Sequence, residues 1–311
     1  MKLKGIEFGK VFGASGVQGF FGEGYWFHKY LKLFGLDFGN MTFVAKTTTL
    51  NQRNGNMPLR GNFTPQERVP KCIYVNPWRG IALNSVGLSG PGARALLTTT
   101  HWQMMQKPFF ISFMSVAKTA KERIYELTAF VGILKSYLPR FRASVGLQIN
   151  YSCPNAGVHH ADNLLQEMNE GLSIASRLGI PLMPKFSVTL HPKMAREIAR
   201  HPACDAICIS NTIPYGQMPD KIDWQKFFGP HSPLEKYGGG GLSGKPLFPL
   251  LLEWLAEARD IGLEKPINAG GGILCLEDAQ EVLRLADSVF LGSIAFLRPW
   301  RVANIVRTLN A

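Results

Sequence analysis

Eight short strand-like runs recur along the 311 residues, each breaking off into small or polar residues. They cover 42–47, 81–87, 109–114, the run opening at Val145, 181–187, 206–211, 266–272 and 288–293. Amphipathic, helix-period stretches fill 91–106, 117–137, 161–178, 246–258, 276–286 and 299–309. Strands that alternate with helices lie parallel in one sheet, and eight of them close into a (β/α)8 barrel. The expectation is therefore an α/β chain, a TIM barrel forming a single domain over 1–311, with long loops inserted over its C-terminal face. The polar, irregular stretches 50–79 and 213–236 supply those loops.

Composition narrows what such a barrel does. At 46% apolar residues the chain can bury a full core. No apolar run reaches the roughly 18 residues of a membrane span, and the start M-K-L-K-G-I-E-F lacks a signal-peptide core, so a cytoplasmic protein without a membrane span is expected. The 5 cysteines are dispersed without a C-x-x-C pair, which argues against a disulfide framework and against a metal or iron–sulfur site in this chain. The formal charge is +12, but the basic residues are scattered. That pattern reads as a solvated basic surface, and no nucleic-acid partner is expected. Residues 20–36 are unusually aromatic, a pattern that fits contact with a membrane surface or a quinone as well as a helix packed on its own protein, the commoner case and the one expected.

Chemistry concentrates where the runs end. Asn150, Ser152, Cys153 and Asn155 place two amides, a hydroxyl and a thiol at one strand end, in the sequence N-Y-S-C-P-N. Lys46 and Lys185 close two other runs, and Asn211-Thr212 a third. Glycine clusters occur at Gly238–Gly244, read as a turn opening a helix, and at Gly270–Gly272, with Gly292-Ser293 at the last run's end. Backbone amides exposed at such positions cradle an anion, and barrels commonly hold a phosphate after their seventh and eighth strands.

In order along the chain, these strand ends resemble the dihydroorotate dehydrogenases. The likeness is carried by A-S-G at 14–16, A-K-T at 45–47, R-N-G-N-M-P-L-R at 53–60, N-S-V-G-L at 84–88, N-Y-S-C-P-N at 150–155 and Lys185. It continues through S-N-T-I at 210–213, G-G-L-S-G at 240–244, A-G-G-G-I at 269–273 and L-G-S at 291–293. The resemblance implies an FMN enzyme oxidising (S)-dihydroorotate to orotate in pyrimidine biosynthesis. Cys153 is then the catalytic base, as in the family's soluble class, where the membrane-bound class has serine. Substrate would meet Lys46, Asn84, Gly87, Leu88, Asn150, Asn155, Asn211 and Thr212. FMN would meet Ala14, Ser15, Gly16, Lys46, Thr47, Asn150, Lys185, Ser210, Ser243, Gly244, Gly271, Gly272, Gly292 and Ser293. The same resemblance implies a homodimer, with an iron–sulfur electron-transfer subunit used by part of the family, and leaves the electron acceptor open among fumarate, NAD and a quinone.

Three departures stand out: Val86 occupies a position that is commonly methionine, G-G-L-S-G-K-P is closer to the membrane-bound class, and Phe20 to Leu36 has no close match in the family. Two other functions compete. A related flavin barrel reducing uracil rings in tRNA would use the basic charge, and a flavin-binding protein without catalysis would keep the fold alone. Asn84 to Leu88, Asn211-Thr212 and G-G-L-S-G favour the first reading over the tRNA enzyme, and Cys153 with Lys46 and the four asparagines favours catalysis.

Overall fold

A computed structural model describes residues 1–34, 36–151 and 161–311. Seven parallel strands form one curled sheet in the order Val11–Gly13, Ser288–Leu291, Ile267–Ala269, Ile207–Asn211, Leu182–Ser187, Val145–Asn150 and Phe109–Phe113. The two edges of that sheet face a common neighbour, residues 42–48. There Thr42 bridges Phe12 on one side, and Val44 and Thr48 bridge Phe110 and Phe113 on the other, all parallel. The backbone bonds Thr42 N to Val11 O (2.8 Å) and Phe110 N to Phe43 O (2.9 Å) fasten both sides. This segment is the eighth stave, so the chain is a closed (β/α)8 barrel.

The count of eight agrees with the sequence, but one member differs. Val11–Gly13 is a stave too short to show in the sequence, whereas the run at 81–87 lies outside the barrel. Its strand Ile81–Asn84 pairs antiparallel with Ile73–Asn76 and with Gly241–Gly244, and the last of these pairs with Ile213–Pro214. The first glycine cluster is therefore a correction as well: residues 241–244 are strand rather than a helix-opening turn. Glycines permit that strand because Gly241 lies against the Thr212 side chain, where an added Cβ would sit 2.2 Å from Oγ1. Residues 20–36 also depart from expectation. Among the described residues they form a short helix, His28–Leu31, and a 3-10 turn, Lys32–Phe34.

Period-two alternation decides which side chains enter the barrel. Along Phe109–Phe113 the odd positions face the helices and Phe110 and Ser112 face inward. Phe8, Phe12, Val44, Phe110, Met183 and Phe290 fill the interior, with the Phe8 and Phe110 rings 4.6 Å apart. Gly146 makes room for this cluster, since a Cβ there would lie 2.4 Å from the Phe110 ring.

Helices pack outside on the larger apolar layer. Ala120–Tyr137 starts at a capping box in which Glu122 N donates to Thr119 Oγ1 (3.3 Å) and Thr119 N to Glu122 Oε2 (3.1 Å). It is bolted to Ala161–Ala175 by a buried bidentate pair, Arg123 Nε to Glu167 Oε1 at 2.7 Å and Nη2 to Oε2 at 2.6 Å. A helix at Pro192–Ala199, not evident from the sequence, is opened by Pro192 and capped by the His191 ring. No helix among the described residues is long and apolar enough to cross a membrane.

Candidate active site

The C-terminal ends of the staves gather the polar residues into a ring. From the eighth stave, Lys46 is fixed by its backbone N–H on Gly19 O (2.8 Å). Its ammonium donates to Ser89 O and lies 4.8 Å from the centre of the Phe20 ring. Ser15 Oγ donates to Ala45 O (2.9 Å) and lies 2.8 Å from Thr47 Oγ1, so A-S-G and A-K-T are one structural unit. Gly16 completes it, with Lys46 Cγ 3.7 Å from where a Cβ would be.

Next along the ring, Asn211 Nδ2 donates to Asn150 Oδ1 at 3.4 Å, and Asn150 is paired in register with Lys185, which in turn is in register with Cys208. Thr212 N donates to Asn211 Oδ1 (2.9 Å). Directly afterwards the chain enters the antiparallel sheet through Ile213–Pro214, and in that sheet Asn84 faces Gly241. The turn after Asn84 carries Gly87 and Leu88, both in the left-handed region at φ 69° and 58°. For leucine this is an uncommon conformation that the surroundings impose. Arg53 Nε on Gly87 O (2.9 Å) and Asn56 N on Val86 O (2.9 Å) hold the turn from the long loop.

The glycines close the ring on its far side. Ala14 N donates to Leu291 O (2.8 Å), setting Ala14 against Gly292, where an added Cβ would stand 3.1 Å from Ala14 Cβ. Gly271 lies against Ser210, and Gly272 packs so closely on Gly244 O and Phe248 N that a Cβ would come within 2.7 and 2.6 Å. Gly272 has φ 76° and Gly244 φ 102°, so no other residue suits either place. Ser243 Oγ is turned onto Ala82 O at 3.4 Å, while Ser293 begins the turn Ile294–Leu297.

Cys153 and Asn155, together with Ser152, lie outside the described residues. All the other expected site residues lie around this mouth.

Electrostatics give the ring its character. Burial pushes the Lys46 ammonium down to about 8, with weaker opposing influences from Cys72 and Glu23. Burial also pushes Lys185 down, opposed by Cys208, and the Lys185 ammonium lies 5.5 Å from the centre of the Phe290 ring. A cation stripped of water is relieved by a bound anion. Two such cations among amides, hydroxyls and glycine backbone suit a planar anionic ligand together with a phosphate.

The sequence did not reveal what lies beneath. A chain of buried polar groups crosses the barrel: Thr47 Oγ1 is 2.9 Å from Ser112 Oγ, which donates to Gln148 Oε1 (3.1 Å). Gln148 Nε2 donates to Cys208 Sγ (3.5 Å), the thiol to Asn268 Oδ1 (3.6 Å), and Asn268 Nδ2 to Ser288 Oγ (2.8 Å). The available signal was a polar residue or thiol set among apolar ones in several runs: Ser112, Gln148, Cys208 and Asn268.

Comparison with known proteins agrees with this geometry. Residues 1–311 match the family described as dihydroorotate dehydrogenase. The chain is 28% identical over 312 residues to the dihydroorotate dehydrogenase B (NAD(+)) catalytic subunit of Caldicellulosiruptor saccharolyticus, covering 97% of this chain and 89% of that one. It is 27% identical over 287 residues to the dihydroorotate dehydrogenase A (fumarate) of Lactobacillus delbrueckii subsp. bulgaricus, covering 88% and 81%. To the B-type catalytic subunit of Methanopyrus kandleri it is 29% identical over 231 residues, covering 71% and 67%.

Proposed function

Because the chain belongs to the dihydroorotate dehydrogenase family, we propose that it oxidises (S)-dihydroorotate to orotate in pyrimidine biosynthesis, as a single FMN-binding domain in the cytoplasm. The observation that carries the reading is the placing of two lysines, Lys46 and Lys185, at stave ends within one ring of amides and glycines. FMN, when bound, accepts the hydride leaving the pyrimidine ring.

The protein's own residues do the rest. Lys46 meets the substrate carboxylate, while Asn84, Asn150, Asn155 and Asn211 supply donors and acceptors to its imide edge. Such a rim rejects rings lacking those groups, because amides set to meet them would then lose hydrogen bonds. Cys153 takes the proton from the ring carbon beside the one that loses hydride. Gly87, Leu88 and Thr212 complete the substrate wall. On the cofactor side, Lys185 would offset negative charge on the flavin, and the amides at Gly244, Gly271, Gly272, Gly292 and Ser293 would hold its phosphate. Ala14, Ser15, Gly16, Thr47, Ser210 and Ser243 line the remaining flavin surface. The B-type relatives' designation as catalytic subunits supports a partner protein that carries electrons onward.

The test is anaerobic. Purified protein is expected to be yellow and to bleach on adding dihydroorotate but not dihydrouracil. Cys153→Ala is expected to retain the flavin and lose fast bleaching. A colourless protein that takes up no FMN sinks the reading, and a Cys153→Ala variant bleaching at the parental rate removes Cys153 as the base. Reoxidation by fumarate or by NAD+ then assigns the acceptor.

A further inference from the structure

Among the described residues, eight large apolar side chains stand exposed, and four of them, Trp26, Tyr30, Leu33 and Val69, share one patch. The patch is continuous. Trp26 and Tyr30 ring centres are 6.0 Å apart, and Leu33 follows Tyr30 by one helical turn. Trp26 Nε1 donates to Arg68 O (2.6 Å), which brings the loop carrying Val69 alongside. Leu33 is 84% and Val69 76% exposed, so both are almost bare. A monomer seldom leaves such a group uncovered without use for it.

Cations are interleaved with these side chains. Lys29 Nζ lies 5.0 Å from the centre of the Tyr30 ring, the Arg68 guanidinium 5.8 Å from that of Trp26, and Lys32 sits between Tyr30 and Leu33 in sequence. A cleft of about 370 Å3 opens between the helix and the loop, with Lys29, Arg60 and Arg68 among its lining. The acids nearby are already engaged. Glu23 accepts from the backbone N–H groups of Phe20 and Phe21, and Glu67 accepts from Lys71 N and lies 3.6 Å from the Lys71 ammonium.

We propose that this face docks on the surface of an anionic lipid bilayer, with Trp26, Tyr30 and Leu33 entering the headgroup layer and Lys29, Lys32, Arg60 and Arg68 meeting lipid phosphates. Tryptophan and tyrosine are the side chains that settle at headgroup depth, and lysine stems extend past them to the phosphates. Each basic side chain near an anionic leaflet adds to the attraction. The charge of the patch itself decides against a second copy as the occupant: a two-fold pair through this face would set Lys29, Lys32, Arg60 and Arg68 of one chain against the same side chains of the other. The same segment begins at the buried Phe20, whose ring lies beneath the Lys46 ammonium.

The experiment is co-sedimentation of the full chain with phosphatidylglycerol or phosphatidylcholine vesicles. Binding is expected to the anionic vesicles, to weaken as salt is raised, and to fall about tenfold or more in Leu33→Ser and in Lys29→Glu/Lys32→Glu. Trp78→Ala, an exposed tryptophan elsewhere, is expected to bind as the parent does. Thermal melts of the variants, whose changed side chains lie at the surface, establish that they are folded. Equal binding to both lipids, no binding, or binding indifferent to these substitutions overturns the proposal. So does a concentration-dependent dimer that the same substitutions abolish, since the patch would then be a protein interface.

Discussion

Lys46 ties the site to a measurable proton. Its ammonium ionises near 8 in the folded protein instead of the 10.5 of a solvated lysine, chiefly through burial. Below pH 8 it is charged and can hold a carboxylate, and above it the charge goes. Orotate affinity is therefore expected to fall up to about tenfold per pH unit above 8, read by titration calorimetry, and Lys46→Met is expected to bind weakly with that dependence removed. Stability moves the opposite way. Between pH 8 and 10.5 the unfolded chain holds a proton on this lysine that the folded one has released, so this group's contribution to stability rises with pH across that window. Comparing melts of the parent and Lys46→Met isolates the effect from the buried thiols and phenols. The sequence exposed Lys46 because a lysine closing an apolar strand is conspicuous. It hid Gln148, Ser112 and Asn268, because a polar residue inside a strand gains meaning only once the barrel defines an inside.

At the level of elements, the best-determined join is between two helices. Arg123 and Glu167 are nearly buried, with side chains 10% and 8% exposed, and Arg123 also donates to Lys118 O (2.8 Å). Removing one partner strands the other without its charge. Arg123→Ala or Glu167→Ala is expected to cost about 3–5 kcal/mol, read from denaturant midpoints, with the double variant losing less than the sum. A destabilisation below about 1 kcal/mol in both single variants would contradict a tight, buried pair. The elements themselves were readable where the helical period was sustained, as over 117–137, which holds the helix Ala120–Tyr137. They misled where tertiary context overruled local pattern. The run at 81–87 has the residues of a buried stave but finds its partners in an antiparallel sheet, and the glycines of 241–244 look like a turn until Asn84 and Ile81 bracket them as a ladder. The aromatic run 20–36 divides its side chains, Phe20 and His28 inward, Trp26, Tyr30 and Leu33 outward.

For the whole molecule, closure rests on its least regular stave. The seven laddered strands share continuous pairings, whereas 42–48 is joined to its two neighbours through separate bridges. Amide hydrogens of 42–48 are thus expected to exchange with deuterium sooner than those of Val145–Asn150 or Leu182–Ser187, which mass spectrometry on peptic fragments can follow. The stave that fastens the cylinder also carries Lys46, so an anion seated on that ammonium works as a clasp. Saturating orotate is expected to slow deuterium uptake in 42–48 more than in the opposite wall. Capturing the ligand and keeping the hoop shut would then be a single event.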